Sequence, residues 1–73
     1  MANTRKLLLQ AAMAHHESKR ADALANLDVY LGSSVGVGDH PTLTEEVRKL
    51  IETITNSDDN IETIKKYFHV DMD

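Results

Sequence analysis

Residues 33–41 read SSVGVGDHP, and they hold the chain's densest grouping of residue types that do chemistry. Glycines free the backbone to turn its amides toward a phosphate, and an aspartate beside a histidine offers two metal-ligating side chains. The candidate interaction loop is therefore Val35, Gly36, Val37, Gly38, Asp39, His40 and Pro41. A Walker-type phosphate loop needs Gly-x-x-x-x-Gly-Lys-Ser/Thr after a strand, so that amides and a lysine meet the phosphates. This stretch has no lysine and no Gly-x-Gly-x-x-Gly spacing. A structural reading accounts for each residue. Gly36 and Gly38 permit tight turns, and Pro41 suits the first turn of a following helix, where its missing N–H costs nothing.

The histidines are no better organised for a metal. His15 and His16 are adjacent, and on a helix adjacent side chains diverge by about 100°. Neither His-Glu-x-x-His nor Glu-x-x-His occurs, and neither Asp39 with His40 nor His69 with Asp71 and Asp73 supplies a fixed set of three or four ligands. No nucleophile stands in a pattern with a base, and no carboxylate pair has an enforced spacing. The expectation is a chain without a cofactor that is not an enzyme.

These residues must be positioned by elements that the sequence makes plain. From Asn3 to Leu31 there is neither proline nor glycine, and Ala, Leu, Lys, Arg and Glu abound. Asn3 or Thr4 is the expected N-cap, and Gly32 the left-handed C-terminal cap. This helix, about 4–31, carries two apolar stripes. One holds Leu24, Leu27 and Leu31 with Met13 further back; the other holds Leu7, Ala11, Ala14, Ala21 and Ala25, interrupted by Ser18. Two stripes imply two neighbours.

The second half has a cleaner pattern. Leu43, Val47, Leu50, Ile54, Ser57, Ile61, Ile64 and Phe68 alternate spacings of four and three, a heptad seam with one polar member. The seam keeps its phase through the turn-like NSDDN at 56–60, which predicts one helix over about 41–69 rather than two joined at Ser57. Asp39, His40 or Thr42 could cap its start, and Thr42 with Glu45 fits a capping box. Glu45–Lys49 and Glu62–Lys66 are i,i+4 pairs in the favourable order. Glu45 and Glu46 near the start, with Lys65 and Lys66 near the end, complement the helix dipole.

Totals bound the rest. Seventy-three residues make a single domain, 1–73, whose core is marginal without a staple, a metal or a partner chain. There is no cysteine, so disulfides and thiolate zinc sites are excluded together, and a partner becomes the favoured remedy. The net charge of −4 argues against a nucleic-acid partner, whose phosphates reward a basic face. No apolar run approaches the roughly 20 residues of a membrane span. Arg5 and Lys6 followed by LLLQAAMA imitate a secretory signal, but Gln10 interrupts the run and the helix reading is preferred.

VGVGDHP followed by a long helix ending IETIKKYF resembles small helical proteins encoded by tailed phages of marine bacteria. In those, a Tyr-Leu pair like Tyr30-Leu31 precedes a Val-Gly-Val/Ile-Gly-Asp/Glu-His-Pro corner. The resemblance covers residues 28–68, and NSDDN is its one departure. It implies a phage or marine origin, with the host cytoplasm as location, and it carries no mechanism.

Together these readings predict an all-α fold: an antiparallel two-helix hairpin that dimerises into a four-helix bundle. The expected function is a non-enzymatic protein–protein interaction or structural accessory role, acting as a homodimer toward an unidentified protein partner. The alternative is a small regulator binding a phosphate-containing ligand through the corner, or nucleic acid through Arg5, Lys6, Lys19 and Arg20.

Overall fold

The computed structural model describes residues 4–32 and 40–69, His40 and Pro41 by their backbone alone. Two helices of 29 residues make it up, α1 (Thr4–Gly32) and α2 (His40–Phe68). Each is about 43 Å long at 1.5 Å per residue. Their contacts place them antiparallel. Arg5 lies over the Phe68 ring at 5.9 Å, Met13 packs with Ile61 and Ile64, and Arg20 meets Asp58. Residue numbers rise on one helix as they fall on the other, which is the register of a hairpin.

α2 runs unbroken through NSDDN. The polar side chains that would favour a turn find their hydrogen bonds inside the helix instead. Asn60 Nδ2 donates to the Asn56 carbonyl at 2.7 Å, and Thr63 Oγ1 donates to the Asp59 carbonyl at 2.9 Å. The seam phase therefore survives. Ser57, Ile61 and Ile64 are buried, Leu43, Val47, Leu50 and Ile54 are half-buried, and only terminal Phe68 is exposed. The helix closes at His69, whose φ of 54° is left-handed and whose N–H donates to the Lys65 carbonyl at 3.1 Å. That single bond is the αL cap, here made by a histidine in place of the usual glycine.

Several local expectations are corrected. Gly32 is the last residue of α1, and no described glycine has a positive φ, so Gly32 is not a left-handed cap. Because α2 begins at His40, Thr42 lies inside the first turn and the Thr42–Glu45 capping box does not mark its start. No acidic residue sits in that first turn, so Glu45 and Glu46 lie beyond the reach of the dipole, whereas Lys65 and Lys66 do occupy the last turn. Glu45 and Lys49 pair at 3.4 Å. Glu62 and Lys66 do not, and the Lys66 ammonium sits 5.3 Å from the Tyr67 ring centre instead.

The larger correction concerns α1. Its inward face is Leu9, Met13, His16, Arg20, Ala23 and Leu27, spaced 4, 3, 4, 3, 4, all buried or half-buried. Of the expected leucine stripe, Met13 and Leu27 face α2, but Leu24 and Leu31 are exposed. The small-residue stripe Leu7, Ala11, Ala14, Ser18, Ala21 and Ala25 is exposed along its whole length. At 3.6 residues per turn it lies on the side of α1 opposite the seam.

The resulting body is a rod of 57 × 18 × 15 Å. Its cross-section is that of two helices side by side, each about 10–12 Å across, so each helix keeps an uncovered back. The radius of gyration is 16.2 Å, against about 11 Å for a compact chain of this length.

Candidate functional site

The expected corner lies mostly outside the described residues. Val35, Gly36, Val37, Gly38 and Asp39 belong to that undescribed stretch, while His40 and Pro41 form the first turn of α2. Pro41 thus occupies the helix start where its fixed φ and missing N–H are tolerated.

The middle of the hairpin holds the polar residues that the fold brings together. Ser57 is buried at 2% exposure in the α2 seam, and His16 and Arg20 occupy the matching stretch of α1. Arg20 Nη1 donates to Asp58 Oδ1 at 2.9 Å, a bond between helices and across 38 residues of chain. Both side chains keep substantial solvent contact, so the pair contributes about 0.2–1 kcal/mol and chiefly selects the register. The chain could slide one turn and still bury aliphatic groups, but it would lose this bond.

What this layer can do chemically is limited by access. Among the described residues Ser57 is the one buried serine, and at 2% exposure it is closed to a substrate. His15 and His16 set their rings edge to face, 5.1 Å between centres and 76° between planes. They diverge as adjacent helix residues must, with His15 exposed and His16 half-buried. No group of three or more His, Cys, Asp or Glu among the described residues is placed to hold a metal ion. No helix among them is long and apolar enough to cross a membrane.

The surface is more informative than the interior. Among the described residues, Met13, Ala23, Ile61 and Ile64 form the buried apolar core. Outside it, Leu7, Leu8, Leu24, Val29 and Leu31 on α1, and Ile51 and Tyr67 on α2, stand exposed by roughly half to two-thirds. On a chain this small, that is a large apolar area for a monomer to leave in water. Apolar stripes in the sequence mark the outer row of α1 but only Met13 and Leu27 of the inner one, because His16 and Arg20 interrupt it with polar types. The signal available was spacing alone: Leu9, Met13, His16, Arg20, Ala23 and Leu27 repeat the four-three rhythm of the α2 seam. No family model, curated protein or solved structure matches the chain.

Proposed function

We propose that the chain is a non-enzymatic protein–protein interaction or structural accessory protein that acts as a homodimer, two hairpins forming a four-helix bundle. The observation that carries this reading is the outward-facing apolar surface. Leu7, Leu8, Leu24 and Val29 on α1, with Ile51 and Tyr67 on α2, expose more large apolar side chains than the four-residue core buries. Without cysteine or another staple, a 73-residue hairpin gains stability most directly by covering those side chains with a second chain. The likeness of residues 28–68 to phage-encoded proteins supports a setting in the cytoplasm of an infected bacterium, where such a dimer would engage a further protein.

Sedimentation equilibrium tests the reading. A dimer is expected at micromolar concentration, with helicity that falls on dilution as the dimer dissociates. A stable, fully helical monomer at that concentration overturns it.

A further inference from the structure

We propose that the back of α1, the face turned away from α2, docks against the same face of a second copy in antiparallel orientation. The inference rests on the dimer reading above and gives it a specific form, a row of four helices with the two copies of α1 in the middle: Leu8 of each chain meets Val29 of the other, Ser18 and Ala21 lie near the twofold axis, and Ile51 and Tyr67 on α2 stay outside this interface. Three independent observations point to a second copy as the occupant.

The first is the distribution of size along the face. Leu7 and Leu8 stand at one end, 54% and 66% exposed, and Val29 at the other, 65% exposed. Between them Ala11, Ala14, Ser18, Ala21 and Ala25 are all small and all exposed. Small residues at four-three spacing let two helix axes approach to about 8 Å, the close end of the usual range. Bulk at both ends with a narrow middle is self-complementary only when one helix is reversed. Leu8 and Val29 then meet at both ends of an isologous interface.

The second is charge. Residues 4–20 of α1 hold Arg5, Lys6, Lys19 and Arg20 against Glu17 alone, whereas residues 21–32 hold Asp22 and Asp28 and no basic group. This is the wrong polarity for the helix's own dipole, which favours anions at its start and cations at its end. α1 has no acidic residue in its first turn and no basic residue in its last. α2 answers part of it, since Arg20 pairs with Asp58 and Arg5 lies over the Phe68 ring, while Lys19, Asp22 and Asp28 stay exposed. An antiparallel second α1 opposes this polarity, since the basic start of each helix lies against the acidic end of the other. On the flank of the face, the same register brings exposed His15 and Lys19 of one chain to exposed Asp22 of the other.

The third is area. A compact monomer of 8.2 kDa exposes about 4500 Å². This chain exposes 5473 Å², an excess of roughly 900 Å² that matches the ~800 Å² each partner buries in a standard interface.

Because the chain has no cysteine, introduced thiols are unique reporters. Positions 8 and 29 lie about 32 Å apart along one helix, too far for a short bismaleimide to link within a chain. The variant carrying both Leu8→Cys and Val29→Cys should become a covalent dimer with that reagent, as should a mixture of the two single variants. Either single variant alone should not, because antiparallel docking sets its two thiols at opposite ends. In parallel, Ala14→Arg should raise the dimer dissociation constant on the order of tenfold or more. Cross-linking of each single variant alone would overturn the orientation. A dimer by sedimentation that Ala14→Arg leaves intact, and that no variant cross-links, would place the interface on α2 and overturn this proposal while sparing the dimer. A helical monomer of the unaltered chain would overturn both.

Discussion

Replacing Ser57 with alanine should stabilise the protein, and the sign of that change is diagnostic. Ser57 is 2% exposed, in the interior of α2, with Ile54 and Ile61 as its seam neighbours. Alanine is the better helix former by up to about 0.5 kcal/mol. No buried side-chain polar atom among the described residues lacks a partner, so removing the hydroxyl itself changes little. Against this gain stands a small loss of packing from one missing atom. The expected net gain is at most about 0.5 kcal/mol, or a few degrees in Tm for a domain of this size. Were Ser57 instead the N-cap of a separate last helix, alanine would cost about 1 kcal/mol, because the capping oxygen would be gone. The two architectures thus differ in sign.

Isoleucine at the same position separates burial from space. It offers roughly 1.5–3 kcal/mol of transfer free energy, but the register sets it opposite Arg20, whose guanidinium is engaged with neighbouring Asp58. Overpacking of about 1–3 kcal/mol should consume the gain. Ser57→Ile is therefore expected to be less stable than Ser57→Ala and near the unaltered protein. Urea denaturation followed by circular dichroism measures all three, at one protein concentration, since association shifts the midpoint. Loss of stability in both variants would refute the continuous seam.

Met13 is fully enclosed against Ile61 and Ile64, so Met13→Ala should cost about 2–5 kcal/mol. With so small a core that loss should leave the chain largely unfolded at room temperature, visible as lost helical ellipticity. Gly32→Ala should stabilise by roughly 0.5–1 kcal/mol in a thermal melt, because a Cβ there meets nothing within 4 Å and the residue has no positive φ to protect. A left-handed cap would show the opposite sign. Chelator should leave the melting temperature unchanged, and a loss of several degrees would reveal a metal held by Asp39 with His40, or by His69 with Asp71 and Asp73.

How much was legible in the sequence differs between the two helices for a physical reason. On α2, one face carries nearly all the large aliphatic residues, so periodicity and burial agree from Leu43 to Ile64. Turn-forming NSDDN did not break it, since Asn60 and Thr63 satisfy their polar groups on the carbonyls four residues before. α1 has apolar residues on opposite sides, and hydrophobic pattern alone gives no ground for choosing which side meets α2. The choice is made by α2. Once Ile61 and Ile64 require a large partner, Met13 must face inward, and the face that follows from Met13 at four-three spacing includes His16 and Arg20. Those two polar side chains are tolerated because the hairpin is thin: His16 stays half-exposed, and Arg20 reaches Asp58 with its guanidinium still wetted. A thicker protein would bury them and demand apolar types. The polar inner seam and the apolar outer row of α1 are thus two consequences of one geometry. A two-helix layer leaves its middle near water and its back uncovered, so the alanines and leucines that a larger fold would turn inward are left facing out.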